Sequence, residues 1–537
     1  MLRAGLLLVA LCSFANAAHA DRIPADWVPR WRADLQFAAD SLPLRHPNFF
    51  HTVSRESYRT ALDSLSRRVP DLDHHQIVVE LARIVAMVHD GHTRLTLPFD
   101  STSGFFTGHS TTARPKVPGL VFRTYPIRFG LFDDTLYVIR ADSAHRELLG
   151  GRVVSLGSMS VAQAMAAVEP AIQRDNDSQV RDLMPGWLVC PEILHARGVF
   201  DERERAAIVV ERADGRRIEA ELAPISGVPV RWLDARPGSD RPLRDRQPER
   251  NHWFMQVPGT RTIYARYRQV MDDPDETVAQ FADSLFTAIE ATRADRLVLD
   301  LRGNVGGDGG LNRPLVQHLI RCDRLQRPGA MWALIDRGTF SAAIMMAADL
   351  ELWTSMLLAG EKTGGHPNSY GDSRRTVLPQ SGLTVRISSL FWQLTGPQDR
   401  RDGITPHVPI TMRFADWQAN RDPVLEAALA RAPAGARLEG AWNGTIGWQF
   451  RRLGFTIESA LRGSTWQGTV TVTGAAVSSA PATGRRTRDD EMALSWTSNG
   501  RPWSFTGRLA GERLVGLVRY GGIDYPAVLE RVAAGAP

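Results

Sequence analysis

The chain of 537 residues is poor in two residue types that often carry chemistry, with three cysteines and two lysines. Cys12 lies in an apolar N-terminal stretch, and Cys190 and Cys322 stand far apart. No group of cysteines and histidines has the spacing of a zinc site. Two distant cysteines in a large chain are more often both free and buried, and a disulfide between them in an oxidising compartment is the alternative.

A strong net charge is also absent. The 64 basic residues nearly balance the 59 acidic ones, which leaves a net charge of +5 with no basic block. This pattern does not indicate nucleic-acid binding. Because Lys116 and Lys362 are the two lysines, few positions are open to a catalytic lysine.

No apolar stretch approaches eighteen residues, so the sequence predicts no membrane-spanning helix in the mature chain. The first twenty residues have the features of a secretory signal: Arg3, an apolar core from Leu6 to Leu11, and a cleavage site at Ala18-His19-Ala20. Residues 1–20 therefore predict export to the periplasm or out of the cell.

A chain of 537 residues is expected to form more than one domain. The 43% hydrophobic and 23% charged residues are values of globular proteins, and alternating strand and helix patterns predict a multidomain α/β protein. Hydrophobic periodicity and turn residues divide it into a helical region over 21–112, a β-rich domain over 120–226, a linker over 227–250, an α/β core over 251–432 and an all-β barrel or sandwich over 436–537.

Strands and helices alternate in the core, which predicts a largely parallel or mixed sheet with ligands at the carboxyl ends of its strands. Residues 296–301 and Met331 to Ile335 predict buried strands, and a short helix is expected from Val161 to Val168. The polar segment 475–490 predicts a mobile loop within the C-terminal domain.

A candidate nucleophile lies in Thr339-Phe340-Ser341-Ala342-Ala343, at the start of an apolar helix. Small neighbours would let a substrate carbonyl approach the serine, and the first free amides of the helix would hold an oxyanion. Taken alone, the motif fits a plain N-cap serine better. Other motifs elsewhere in the chain support the catalytic interpretation.

Those motifs together resemble the S41 serine peptidases, the tail-specific or C-terminal processing protease family, and their tricorn-core relatives. The resemblance covers residues from about 30 to 412 and rests on four motifs in order: Asp90-Gly91-His92-Thr93, Leu299-Asp300-Leu301-Arg302-Gly303-Asn304-Val305-Gly306-Gly307, Thr339-Phe340-Ser341-Ala342-Ala343 and Gly360-Glu361-Lys362-Thr363-Gly364-Gly365-His366-Pro367-Asn368. It implies a ClpP/crotonase-like core. The segment Gly151 to Gly157 is similar to part of a PDZ-like domain, without the usual Gly-Asp pair.

The resemblance implies that Ser341 is the nucleophile and that the amides of Gly306 and Ala342 form the oxyanion hole. In the processing-protease branch the base is a lysine twenty-five residues after the serine, but that position is His366 here. The tricorn-like branch uses a histidine that His92 matches, and histidine titrates near neutrality without burial. His92 is therefore the predicted base, with His366 and Lys362 as alternatives.

The resemblance places an acidic residue just ahead of Gly403-Ile404-Thr405-Pro406, where Asp399 is the first choice and Asp402 the second. The family has aspartate after this proline, and this chain has His407. Asp90 and Thr93 are expected to form a turn rather than to act in catalysis. Arg302 is expected to be an ion-pair partner or an anchor for a substrate carboxylate.

The sequence thus predicts an exported serine peptidase that hydrolyses peptide or protein substrates through an acyl-enzyme, with no metal or organic cofactor. Two alternatives stay open: a non-catalytic relative that binds peptides or small hydrophobic ligands, and a hydrolase of non-peptide esters or amides.

Overall fold

The computed structural model describes residues 22–100, 115–225, 230–430, 437–448, 451–474, 478–486 and 488–532. The predicted signal at 1–20 lies outside the described residues. The chain divides into two compact units. The first comprises Met1–Asp175, Leu183–Ala235 and Tyr370–Phe391, and the second comprises Asn176–Asp182, Arg236–Ser369 and Trp392–Pro537.

The helices and strands have the following bounds. The helices are α1 (Trp27–Ser41), α2 (Arg55–Arg68), α3 (His74–Ala86), α4 (Val161–Val168), α5 (Asp177–Trp187), α6 (Pro191–Ala196), α7 (Val278–Ala291), α8 (Arg313–Arg321), α9 (Ala342–Trp353), α10 (Phe414–Gln418) and α11 (Pro423–Leu429). The strands up to the linker are β1 (Arg94–Leu95), β2 (Ile127–Phe132), β3 (Thr135–Ala141), β4 (Arg152–Leu156), β5 (Met159–Ser160), β6 (Ala206–Glu211), β7 (Arg217–Leu222) and β8 (Leu233–Asp234).

The remaining strands belong to the core and to the C-terminal domain. Those of the core region are β9 (His252–Gln256), β10 (Thr262–Tyr267), β11 (Arg296–Asp300), β12 (Met331–Ile335), β13 (Leu357–Gly360), β14 (Asn368–Gly371), β15 (Arg374–Val377), β16 (Thr384–Ile387), β17 (Leu390–Gln393) and β18 (Val408–Pro409). Those of the C-terminal domain are β19 (Gly440–Trp448), β20 (Arg451–Arg462), β21 (Thr465–Thr473), β22 (Ser478–Arg485), β23 (Glu491–Ser498), β24 (Arg501–Ala510), β25 (Arg513–Tyr520) and β26 (Ile523–Arg531).

The first unit opens with the predicted helices α1 to α3. Helix α3 begins with a capping box, in which Asp73 accepts from the amide of Gln76 and the Gln76 side chain accepts from the amide of Asp73. Its apolar residues are buried, because they recur at helical spacing. Strands β2, β3, β4, β6 and β7 follow as a mainly antiparallel sheet, and β1, β16 and β15 form a separate antiparallel sheet. The PDZ-like character of this region stays a prediction.

The second unit contains the predicted parallel sheet. Its strand order is β18-β13-β12-β11-β10-β9, and all neighbouring pairs are parallel except β9 with β10. Alternate residues of the central strands point into two different apolar layers, one shared with α7, α8 and α9 and the other with α11. Burial on both faces explains why these strands are continuous apolar runs in the sequence.

The C-terminal domain is a closed barrel of eight antiparallel strands, β19 to β26 in sequence order. This decides between the barrel and the sandwich predicted from the sequence. The predicted loop over 475–490 is wrong in part, because β22 (Ser478–Arg485) lies within it. Ala480 and Ala482 face the barrel interior, and such small side chains give little apolar signal in the sequence.

The barrel packs on the sheet of the same unit. Val515 and Val528 of the barrel share an apolar layer with Tyr264 and Trp332 of the sheet. At this joint His407 is buried, its Nδ1 accepts the amide of Leu358 at 3.0 Å, and Gly447 of β19 leaves room for its ring. His407, which differs from the aspartate of the pattern described above, therefore packs between the sheet and the barrel.

Two further findings concern the cysteines and the length of the helices. Cys190 and Cys322 are both free and buried. Over the described ranges, none of the helices combines the length and apolar character that crossing a membrane requires.

Candidate active site

Ser341 stands at a sharp turn between a buried strand and a buried helix. Strand β12 ends at Ile335, and α9 begins at Ala342, the residue after the serine. The Ser341 backbone has φ 54° and ψ −125°, a region that residues with a Cβ rarely adopt. A serine on a strained strand-to-helix turn is the arrangement of the nucleophile in α/β-hydrolases.

The geometry at Ser341 does not match that of a plain helix cap. An N-cap serine normally has an extended backbone and accepts a hydrogen bond from an amide two or three residues on. Ser341 has neither the backbone nor the capping bond. Ala342 is the first residue of α9, so its amide is one of those that have no acceptor within the helix. A donor is therefore available next to the hydroxyl-bearing residue.

Gly306 lies directly against the serine turn. Its φ is +97°, and a Cβ at this position would lie 2.6 Å from Ser341 Cβ and 2.8 Å from Ala342 N. A side chain at 306 is thus excluded both by the backbone conformation and by the neighbouring turn. The structure brings the glycine-rich turn and the serine motif together, although 35 positions separate Gly306 from Ser341.

Asn304 ties this glycine turn to its surroundings. Its buried side chain donates to Tyr267 O at 2.8 Å and accepts from the Gly306 amide at 2.9 Å. Its carbonyl accepts from the Phe340 amide at 2.9 Å, which fixes the residue before the serine. The amide of Gly306 therefore donates to the Asn304 side chain. To stabilise an oxyanion as predicted, this amide would have to release Asn304 and donate to the oxyanion.

His92 lies in the first unit, in the turn that follows α3. The chain leaves α3 through His89, which has φ 51°. The Thr93 amide then donates to Asp90 O at 3.0 Å, and the His92 amide donates to Asp90 Oδ1 at 2.9 Å. The turn-forming roles predicted for Asp90 and Thr93 are thus observed.

Asp90 is also a buried anion beside the His92 ring. Its Oδ1 lies 4.0 Å from His92 Nδ1, and its Oδ2 accepts from His46 Nε2 at 3.1 Å and from Thr93 Oγ1 at 2.5 Å. Burial would raise the pKa of Asp90, but the bond from His46 and the charge of His92 hold that pKa well below its usual range. Asp90 is therefore ionised at neutral pH.

His46 is the residue that sequence reasoning missed. Its Nδ1 accepts the amide of Asn48 at 3.0 Å, so the proton of the neutral ring is on Nε2 and is donated to Asp90. The ring of Tyr370 packs on His46 at 4.5 Å and on His51 at 4.7 Å between centroids. The spacing of histidines in the sequence does not indicate a role for His46, because its partner Asp90 is 44 positions away.

Asp399, the predicted acidic member of the site, is buried in the second unit and has other partners there. Its carboxylate accepts from the Arg401 guanidinium at 2.9 Å and from Thr395 Oγ1 at 2.9 Å. Burial would raise its pKa, but the bonds from Arg401 hold the pKa below its usual value. Arg401 also pairs with Glu351 at 2.7 Å. Asp399 is an anion held in a network of its own.

The alternative base Lys362 forms an ion pair with Asp402 at 2.6 Å. In this pair Lys362 Nζ donates a hydrogen bond to Asp402 Oδ2. Asp402, the alternative to Asp399 as the acidic residue of the site, is thus paired with Lys362. The other alternative, His366, lies between β13 and β14 in the second unit.

Arg302 is a structural ion-pair residue, one of its two predicted roles. Its buried guanidinium makes paired hydrogen bonds to Asp300 and to Asp422, with the shortest contacts at 2.6 and 2.7 Å. The pKa of Asp300 is held far below its usual range, because the charges of Arg302 and Arg266 outweigh its burial. With both carboxylates bound, Arg302 links β11 to the start of α11 rather than facing a substrate.

In the part of the chain that the structure describes, no group of three or more His, Cys, Asp or Glu side chains has a metal-binding arrangement. The strained serine, the helix-start amide and the glycine turn lie together in the second unit.

No family model and no curated protein matches the sequence. Solved structures match the fold. Mature CPAF superposes with a TM-score of 0.51 at 12% identity, over 73% of this chain and 94% of that chain. CPAF in complex with lactacystin gives 0.51 at 11% identity, over 75% and 98%. The photosystem II D1 C-terminal processing protease aligns over 71% and 93% at 14% identity, with a TM-score of 0.34. The multidomain mixed α/β fold predicted from the sequence is confirmed.

Proposed function

We propose that this protein is an exported serine peptidase of the S41 type, with Ser341 as the nucleophile. The observation that supports this most is the Ser341 backbone at φ 54° and ψ −125°, held against Gly306 beside the helix-start amide of Ala342. Strain of this kind is maintained only where the surrounding structure enforces it, and it is concentrated at functional sites. Export follows from the signal features of residues 1–20.

The reaction proceeds through an ester on the serine. Ser341 Oγ attacks the carbonyl carbon of the scissile peptide bond, and His92 accepts the hydroxyl proton. The amide of Ala342, with a second amide from the turn at Gly306 and Gly307, stabilises the tetrahedral oxyanion. The C–N bond then breaks, the amine leaves with the proton from His92, and a water activated by His92 hydrolyses the ester.

Two aspartates are candidates to stabilise the His92 imidazolium. Asp399 is the residue that the family resemblance indicates. Asp90 has the supporting geometry, because it is buried, ionised and 4.0 Å from His92 Nδ1. The carboxylate of Asp399 is bonded to Arg401 and Thr395 instead. We therefore assign the electrostatic role to Asp90 and a structural role to Asp399.

A fluorophosphonate probe tests the nucleophile directly. The full-length protein should be labelled on Ser341 and should hydrolyse a casein or peptide-library substrate. Ser341→Ala should abolish both signals while the melting temperature stays near that of the wild type. Folded wild-type protein without labelling would contradict a catalytic serine. Labelling with ester hydrolysis but without peptide hydrolysis would replace the peptidase with an esterase or amidase.

Paired histidine variants test the base. His92→Ala should reduce kcat/KM by several orders of magnitude, and His366→Ala should have a smaller effect. Lys362→Met should leave measurable hydrolysis, because Lys362 is paired with Asp402. A larger loss in His366→Ala than in His92→Ala would move the base assignment to His366.

A further inference from the structure

Three arginines face each other across the small sheet of the first unit. Arg94 on β1 is directly opposite Arg386 on β16, and Arg386 is directly opposite Arg375 on β15. Residues opposite each other in an antiparallel pair point to the same face, with Cα atoms about 4.5–5.5 Å apart. The intervening residues Leu95 and Val385 are buried, so the arginines share the partly exposed face. We call these three residues the arginine row.

Such a row is unfavourable unless an anion balances it, since like charges placed directly opposite destabilise a sheet. Among the described residues, no carboxylate forms an ion pair with Arg94 or Arg386. Asp90 is the carboxylate whose charge acts on Arg94, but its oxygens are bonded to His46, Thr93 and the His92 amide. Burial and the charge of Arg386 lower the pKa of Arg94 to about 10, which leaves it charged at neutral pH.

A second observation points to the same face. The hydroxyls of Thr96 and Thr384 are buried and have no hydrogen-bond partner in the described structure. Thr96 is two positions after Arg94, and Thr384 is two positions before Arg386, which puts them on the arginine side of their strands. The Thr96 amide donates to Thr384 O at 2.8 Å, so the two threonines are neighbours. The face thus holds the three guanidinium groups of the row and two hydroxyls that have no hydrogen-bond partner in the described structure.

We propose that the arginine row binds a carboxylate side chain of the peptide substrate, so that the enzyme prefers sequences with aspartate or glutamate near the cleaved bond. Guanidinium groups bind carboxylates through paired, charge-assisted hydrogen bonds, and hydroxyls add further donors. Arg94 follows His92 by two residues, and its guanidinium donates to Gly91 O at 3.4 Å. The row therefore begins next to the predicted base. That the carboxylate belongs to a substrate rests on the proposed function.

Binding to an inactive full-length protein tests this without turnover. In the Ser341→Ala background, fluorescence anisotropy would measure a fluorescein-labelled decapeptide containing four glutamates and its counterpart containing four glutamines. The glutamate peptide should bind more tightly. Arg94→Gln and Arg386→Gln should each weaken it about tenfold, the effect of one charge-assisted hydrogen bond. Neither change should affect the glutamine peptide.

Arg374→Gln is the matched control, because Arg374 precedes Arg375 on β15, has the same charge and points to the other face. It should leave binding of the glutamate peptide unchanged. An equal loss in Arg374→Gln would show general electrostatic attraction and would overturn the site. No preference for glutamate in the protein with an intact row would also overturn it.

Two further readouts separate the possible failures. Without peptide, Arg386→Gln should melt at a higher temperature than its parent, because it removes a repulsion between opposite strands. A lower melting temperature would contradict this repulsion. If arginine-dependent binding is found but the wild type hydrolyses no peptide, the proposed function fails and the anion site stands. If peptides are hydrolysed with equal kcat/KM whether acidic or neutral, this inference fails and the proposed function stands.

Discussion

His46 Nε2 lies 3.1 Å from Asp90 Oδ2, and both side chains are fully buried. Because His46 Nδ1 accepts the Asn48 amide, the ring donates its remaining proton to the carboxylate. Thr93 supplies a further hydrogen bond to the same oxygen. These bonds hold an anion beside His92 and leave Oδ1 facing the His92 ring at 4.0 Å.

Asp90→Asn should therefore lower kcat/KM by roughly ten- to a hundredfold, because the His92 imidazolium loses a charge at short range. The acid limb of the pH–rate profile should also shift to lower pH, since the protonated imidazole becomes less favourable. His46→Gln is the control, because this variant keeps the Asp90 carboxylate and a side chain at position 46 that can donate a hydrogen bond to it. An unchanged acid limb in folded Asp90→Asn protein would assign the electrostatic role elsewhere.

Gly306→Ala should reduce kcat/KM by about a hundredfold or more, because the added Cβ would lie 2.6 Å from Ser341 Cβ and displace the serine turn. Gly303→Ala is a matched control on the same loop. Gly303 has φ +66°, but a Cβ there would meet no atom within 4 Å. Alanine at 303 should cost about 1 kcal/mol of stability and leave most activity intact. Equal losses of activity in both variants would indicate a general effect of loop strain.

Ser341→Gly and Ser341→Ala should both be inactive but should differ in stability. Glycine adopts φ 54° without a steric penalty, and alanine does not. We expect the glycine variant to be more stable than the alanine variant by about 1 kcal/mol, as measured by urea unfolding. A more stable alanine variant would show that the backbone at 341 is not strained.

His407 should make the protein less stable as the pH falls from about 6.5 to about 3. Burial, with smaller effects from the charges of Arg452 and Arg401, lowers the pKa of His407 to about 3. In the unfolded chain it takes up a proton near pH 6.5. Within this window the unfolded state binds more protons, so acid favours unfolding by at most about 1.4 kcal/mol per pH unit.

His407→Asn should accordingly reduce the dependence of the free energy of unfolding on pH between pH 6.5 and pH 3. The difference between the two proteins at pH 8 measures the change in packing against Leu358 and Gly447, and only the pH dependence measures titration. Parallel curves for the two proteins across this range would contradict a buried neutral histidine.

Local patterns in the sequence predicted much of the fold. The helix Val161–Val168 and the strand Met331–Ile335 have the bounds expected from hydrophobic periodicity. The segment at Ser478–Arg485 was missed because its inward residues are alanines, and it becomes a strand through pairing with β21 and β23 in the closed barrel. Composition cannot show a strand that depends mainly on its neighbours.

At the candidate site, local patterns identified the serine that begins a buried helix and the glycine-rich turn that follows a buried strand. These features depend on residues only a few positions apart. Tertiary structure alone decided the left-handed backbone of Ser341, the partnership of His46 with Asp90, and the alignment of Arg94 with Arg386 and Arg375. The physical reason is that each of these depends on packing or strand register between segments distant in the chain, which local spacing does not encode.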